Sequence, residues 1–381
     1  MTGGKSDKSF CWLCFPQLNS SCRKPTLHWS KAVLLNIVLS FISLITAALN
    51  LLVIISVSHF RQLHTPTNIL LLSLAVSDFL VGLLLMPLEI IRNTACWVLG
   101  DLMCSVYVYL MVNITCASIG NIVLISADHY VAICDPLHYS TRITVGRVKL
   151  SVCLCWCCAI VYCSFYTKDI MTEPGRYNSC YGECLFIISN IVGIIDLVLY
   201  FIVPVSVIIV LYMRVFVVAV SQARAMRSHV TAVTLQRSLN QTNRSELKAA
   251  RTLGVLVVVF LASYCPYYCY SLVEENIMND PSASTVIIVF YFNSCLNPLI
   301  YALFYPWFRN AVKLIITLQI FKHDIRTPVY SHSGVKVGLM QQIDDGIHYS
   351  NPGMVDKLGS SQGSTRKYRY FMTCEDRATG L

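Results

Sequence analysis

Two carboxylates sit where hydrocarbon is expected. Asp78 lies in LLSLAVSDFLVG and Asp196 in IVGIIDLVLYFIVP, runs otherwise free of charge. An ionisable group at membrane depth is costly, so it faces a bundle interior and marks an ion or ligand path. For Asp78 the chemistry is oxygen ligation. Asn50, Ser118, Asn293 and Asn297 are expected at similar depth on neighbouring helices, and with Asp78 they form a set suited to Na⁺, a hard cation that takes oxygen ligands. The alternative is a neutral Asp in a structural hydrogen-bond network. Asp196 stands eight residues before Pro204. It is about ten residues into its span, roughly 15 Å below the helix end. A buried carboxylate with no partner takes up a proton or waits for a cation. A protonated amine is the natural ligand; the alternative is an acid bonded to a backbone carbonyl or a Tyr.

Tyr267 and Tyr268 follow Pro266, and Tyr291 is expected near their depth. Rings around an ammonium give cation–π attraction and exclude water. Packing alone accounts for any one of them, and it is convergence with Asp196 that makes them a group. Tyr107 and Tyr109 add aromatic surface near the start of the third span. Glu89 and Arg92, three residues apart, pair as helix neighbours, which leaves Glu89 a weaker second anchor. Glu274, Glu275 and Asp280 make the external mouth acidic and would concentrate cations there.

These side chains need helices that cross a bilayer. The chain has 381 residues, 55% hydrophobic and 13% charged; soluble domains carry about a quarter charged residues. Seven segments reach the roughly 20 apolar residues of a spanning helix: about 32–57, 68–92, 102–133, 149–167, 185–213, 250–273 and 285–304. The fold class is an all-α membrane protein, a seven-transmembrane helix bundle, with an amphipathic cytoplasmic eighth helix over 305–322. In that helix WFRNAVKLIITLQIF puts apolar residues on one face and Arg309 and Lys313 on another. Residues 1–31 read as an extracellular tail and 32–304 as the bundle. Residues 323–381, rich in Ser, Gly and Asp, read as a disordered cytoplasmic tail. No cleavable leader is visible, and the first span serves as the insertion signal.

With the N-terminus outside, the cytoplasmic loops hold Arg61, Arg142, Arg147, Lys149, Arg214, Arg224, Arg227, Arg237, Arg244, Lys248 and Arg251, against Arg92, Lys168 and Arg176 outside. That asymmetry follows the positive-inside rule. It explains the net charge of +9 without nucleic acid; the basic face meets anionic lipid or an acidic partner. Cys11, Cys14, Cys22, Cys96, Cys104, Cys180 and Cys184 fall on the outer, oxidising side, where disulfides form, and their odd number leaves one thiol over. The Cys11–Cys14 spacing allows zinc, but no second ligand pair accompanies it. Asn19 heads a glycosylation sequon on the outer side. No nucleophile–base constellation points to an enzyme, and no cofactor is required. A transporter would need a polar path and internal repeats, and the seven spans show no two-fold symmetry.

Taken in order, Asn50, Asp78, Asp128-His129-Tyr130, Trp156, Pro204, Pro266 and Asn297-Pro298-Leu299-Ile300-Tyr301 resemble the marks of rhodopsin-like G-protein-coupled receptors, over about residues 30–320. Within that family Asn293–Phe308, SQAR at 221–224, KAARTLG at 248–254 and CYGEC at 180–184 are similar to trace amine-associated receptors. The resemblance implies a plasma-membrane receptor with a small-molecule amine ligand and a heterotrimeric G protein of stimulatory or olfactory type. It implies a Cys104–Cys184 bridge and two further bridges, Cys14–Cys180 and Cys22–Cys96, with Cys11 left over. It implies a switch region of Asp128, His129, Tyr130, Asn297, Pro298 and Tyr301.

Three positions depart from the pattern. Met111 stands where amine receptors carry an Asp on the third helix, while Asp196 matches the fifth-helix Asp of a fish-expanded branch. The amine anchor is thereby moved across the pocket, and Met111 supplies adaptable apolar wall. Tyr264 replaces a Trp beside the sixth-helix proline. His129 replaces an Arg; it is shorter and cannot reproduce the guanidinium fork. The expected function is an olfactory amine receptor, for a monoamine or a diamine, that raises cAMP. The runner-up is a receptor-like amine binder with altered coupling through His129, and behind it a transporter.

Overall fold

In the computed structural model the described residues are 13–18, 20–22, 29–176, 178–185, 190–228, 254–272 and 281–317. Asn19, Cys11, the acidic residues at 274–280 and the tail at 323–381 lie outside them.

Seven helices long and apolar enough to cross a membrane are present. α1 is Trp29–His59 and α2 is Pro66–Thr94. α3 is Gly100–Cys134 and α4 is Val145–Tyr166. α5 runs continuously through Asn190–Asp196, Leu197–Ile202 and Val203–Ser228. α6 is Gly254–Leu272, α7 is Pro281–Phe304 and α8 is Pro306–Ile316. Short helices Pro136–Arg142 and Lys168–Thr172 follow α3 and α4.

Local chemistry sets several of these starts. Thr65 accepts a hydrogen bond from the Asn68 amide (3.3 Å) with Pro66 on the first turn of α2, and Thr144 does the same for Arg147 (3.4 Å) on α4. A capping hydroxyl with Pro just inside satisfies amides that have no helical partner. At the far end of α7, Arg309 donates to the carbonyls of Ala302 (2.9 Å) and Leu303 (3.1 Å), so α8 caps the helix before it. Trp307, Phe308 and Ala311 of α8 are buried against the bundle.

Two helices are wound wide for one turn: Val81–Leu85 in α2 and Leu197–Ile202 in α5 are π-helical. Each follows one of the two intramembrane carboxylates, Asp78 and Asp196. Such a turn accommodates one extra residue and re-aims what lies beyond it.

The core lies around α2, α3 and α7. Leu71, Leu74, Ala117 and Tyr301 are fully buried there. α1, α4 and α5 turn apolar side chains outward, among them Leu44, Phe165 and Ile191, as a lipid-facing surface does. α1 and α2 touch most closely at Gly82. A Cβ there would lie 2.7 Å from the Ala47 amide nitrogen and 3.0 Å from the Ser43 carbonyl oxygen. The Ser43 hydroxyl donates to the Gly82 carbonyl at 2.7 Å. Trp156 of α4 donates its indole N–H to Ser73 of α2 (3.1 Å).

One end of the bundle is closed by three disulfides. Cys104–Cys184 forms as expected. The other two correct the expectation: Cys14 bonds Cys96 and Cys22 bonds Cys180, not Cys14–Cys180 and Cys22–Cys96. The reason is backbone pairing. The Tyr181 amide donates to Ser20 (2.9 Å) and the Cys22 amide to Tyr181 (2.9 Å), which sets Cys22 beside Cys180. The Trp97 amide donates to Gly182 (2.9 Å) and the Cys14 amide to Cys22 (2.8 Å), which leaves Cys14 facing Cys96. Gly182 has φ +101°, and a Cβ on it would stand 2.9 Å from that of Cys14; only glycine suits this turn. Cys14 is thus bound in a disulfide, which removes the thiolate that a zinc site would need.

Candidate functional site

Asp196 opens onto a cavity between α3, α4, α5, α6 and α7. Met111, Val112, Thr115 and Cys116 of α3 form one wall. Tyr166, Tyr200, Tyr267, Tyr268, Ile287, Phe290 and Tyr291 complete it. The mix of aromatic wall with a few polar groups suits a small organic ligand. The Tyr162 hydroxyl donates to Asp196 Oδ1 (3.1 Å), and Tyr268 is a second hydroxyl partner. Among the described residues no Lys, Arg or His forms an ion pair with Asp196. A half-buried carboxylate is therefore held by neutral donors on a cavity wall.

The rings form a connected sheath. Tyr162 and Tyr200 have centroids 4.4 Å apart, Phe201 stacks on Tyr268 at 4.5 Å, and Tyr267 meets Tyr268 edge-on at 5.2 Å. Tyr267, Tyr268, Tyr291 and Met111 all line the cavity with Asp196. Tyr264 does not: it is buried one ring further in, 4.5 Å from both Phe260 and Phe290, and Phe290 takes the cavity-facing position.

Asp78 is fully buried and accepts a hydrogen bond from Asn297 Nδ2 (2.7 Å). Asn50 donates to the carbonyls of Thr46 (2.9 Å) and Ser294 (3.0 Å), tying α1 to α7 beside it. Among the described residues, Asp78 Oδ1, the Ser118 hydroxyl and Asn293 Nδ2 are buried with no protein hydrogen-bond partner. Orphaned buried polar atoms are places where water or an ion can sit. With a carboxylate and a hydroxyl oxygen among them, the donor set fits a hard cation.

At the opposite end from the disulfides, Asp128 is buried with both oxygens satisfied. Thr67 of α2 donates to Oδ2 (2.7 Å) and Tyr139 of the short helix donates to Oδ1 (2.7 Å). Burial, reinforced by the Asp128 charge, pushes the Tyr139 phenol up, so it stays a donor. His129 takes no part in this. Its Nδ1 lies 2.9 Å from the Ile125 carbonyl one turn back, and its ring is buried. Tyr130 follows on the same helix; Tyr301, fully buried three residues beyond Pro298, presents a hydroxyl with no partner among the described residues.

A family model described as 7 transmembrane receptor (rhodopsin family) matches residues 49–301. The chain belongs to that family. Within it the chain is a trace amine-associated receptor by likeness over most of its length. It is 37% identical over 325 residues to trace amine-associated receptor 13c of Danio rerio, covering 81% of this chain and 93% of the relative. It is 36% identical over 324 residues to trace amine-associated receptor 1 of Mus musculus, covering 82% and 97%. To trace amine-associated receptor 8b of Mus musculus it is 39% identical over 324 residues, covering 81% and 94%. This is a multi-pass membrane receptor of the amine-sensing class and not an enzyme.

Sequence reading missed several residues that this receptor uses. Tyr162 and Tyr200 hold the Asp196 region, yet nothing in their neighbourhoods marks them apart from packing aromatics. The i, i+4 pair Tyr162 and Tyr166, with centroids 5.6 Å apart, was the available signal: two rings on one helical face. Thr67 and Tyr139 carry no signal, because their role exists only where α2, α3 and the short helix Pro136–Arg142 meet.

Proposed function

We propose that this receptor is an olfactory amine sensor of the plasma membrane, with its N-terminus outside, and that it binds a protonated amine at Asp196. One observation carries the reading: Asp196 lies on a cavity wall with hydroxyl partners and, among the described residues, no cation. An ammonium supplies the missing charge, and Tyr267, Tyr268 and Tyr291 offer ring faces around it. Met111 accepts the apolar remainder of the ligand. Tighter binding to one bundle conformation shifts the balance between conformations and opens the switch end. Asp128, Tyr130, Asn297, Pro298 and Tyr301 belong to that switch, and a stimulatory or olfactory G protein reads it and raises cAMP. Asp78, Ser118, Asn293 and Asn297 would hold Na⁺, which would neutralise the buried carboxylate in the resting state.

A cAMP reporter challenged with an amine panel tests the anchor. Asp196→Ala, expressed at the surface, loses potency about tenfold or more for every active amine, the scale expected when one member of a desolvated charge pair is removed. Full potency in that variant would show the anchor to be elsewhere.

A second reading rests on His129, whose ring is bonded to its own helix while Asp128 is held by others. On that reading the receptor binds amine with weak or altered coupling. His129→Arg then raises the cAMP response without changing amine affinity. An equal response in both forms removes this reading.

A further inference from the structure

Behind the cavity stands a second buried carboxylate. The hydroxyl of Tyr291, a lining residue, lies 3.5 Å from that of Tyr107, and Tyr107 donates to Glu89. Glu89 therefore stands behind the cavity-lining Tyr291, with Tyr107 between them, which makes it the candidate second contact, beside Asp196, for a ligand with two ammonium groups.

Glu89 is fully engaged. Its Oε1 accepts from Arg92 Nη2 (2.7 Å) and Asn93 Nδ2 (2.8 Å). Its Oε2 accepts from Arg92 Nε (3.0 Å) and the Tyr107 hydroxyl. Four donors meet two oxygens, which is all that a carboxylate's lone pairs accommodate. The Arg92 side chain is 7% exposed, so its charge stays with Glu89 and away from solvent. Bidentate pairing of this kind is the strong form of the Arg–carboxylate contact.

We propose that Arg92 is a specificity-determining residue: by saturating Glu89 it leaves Asp196 as the single free anionic contact of the cavity and restricts the receptor to ligands with one ammonium and an uncharged tail. This rests on the reading of Asp196 as the amine anchor. A second ammonium entering toward Tyr291 loses its water, finds no free carboxylate and has the guanidinium behind the wall. Met111, Ile287 and Phe290 instead favour hydrocarbon or an aromatic ring.

The test compares n-pentylamine with the pentane diamine that carries an amine at each end, in the cAMP reporter and by thermal stabilisation of the solubilised receptor. Wild type responds to the monoamine at least about tenfold more sensitively than to the diamine. Arg92→Gln, which frees Glu89, narrows that ratio by about tenfold. The double variant Glu89→Gln with Arg92→Gln, which keeps amide donors but no charge, returns the ratio to the wild-type value. A wild type that prefers the diamine overturns the proposal, as does a surface-expressed Arg92→Gln with an unchanged ratio. If Arg92→Gln does not reach the surface, the double variant decides alone: a selective loss of diamine response means that Glu89 was an anchor all along. Asp196→Ala separates the two layers, since its full activity defeats the anchor, whereas its inactivity with an unmoved Arg92→Gln ratio defeats only the role of Arg92.

Discussion

At the scale of single residues, Asp128 and Asp196 are held by the same chemistry to different ends. Each accepts from neutral hydroxyls, but Asp128 is closed in by Thr67 and Tyr139, whereas Asp196 lies on a cavity. Thr67→Val removes one of the two donors to Asp128 and leaves a buried carboxylate oxygen short of a partner. The cost is about 1–3 kcal/mol, read as a thermal midpoint lower by a few degrees in the solubilised receptor; an unmoved midpoint would mean that solvent already reaches Asp128. Legibility at this scale depended on whether a residue's partner was already implied by its own segment. Glu89 and Arg92 were readable as a pair because helical spacing alone brings them together. Asp78 and Asn297, 219 residues apart, were readable because polar atoms in an apolar run must find each other. Thr67 and Tyr139 were not, since their segments lie at the polar end of the bundle, where nothing in the sequence signals that a hydroxyl is buried.

Among the elements, the seven apolar spans were plain in the sequence, because the length of hydrocarbon to be crossed fixes the length of helix. The ends of α3 and α4 fall within a few residues of their expected limits. The close contact of α1 with α2 is a different matter, as Gly82 gave no sign of it. Its absent side chain lets two backbones meet, the role small residues play between membrane helices. Gly82→Ala drives a methyl into the Ala47 backbone nitrogen and disturbs the Ser43 hydrogen bond. We expect a loss of about 1–3 kcal/mol, in the range of overpacked cores, seen as reduced surface expression and a lower thermal midpoint. Wild-type values for both would show that α1 moves aside at little cost. The wide turns Val81–Leu85 and Leu197–Ile202 were equally silent, since no residue type within them demands the extra residue.

For the molecule as a whole, the disulfides join segments 82, 158 and 80 residues apart and fasten the N-terminal segment to two loops. The cysteines were legible and the pairing was not, because Cys14 and Cys22 sit on one short segment and the choice between partners is made by the backbone bonds of Tyr181 and Gly182. Non-reducing digestion and mass spectrometry will recover Cys14–Cys96 and Cys22–Cys180; recovery of Cys14–Cys180 would refute this arrangement. Gly182→Ala, strained by its positive φ and by Cys14, lowers the yield of correctly bridged receptor. The wide turn after Asp196 has a consequence of another kind, for descent. Its extra residue is a reading-frame mark in three dimensions: beyond it, every position on α5 is turned relative to a helix without it. A lineage that dropped one residue there would close the wide turn and keep the carboxylate and the switch end against the same neighbours, while every later position number shifted by one. Position counts along α5 can therefore differ by one between two such receptors while the side chains at the switch end occupy the same places.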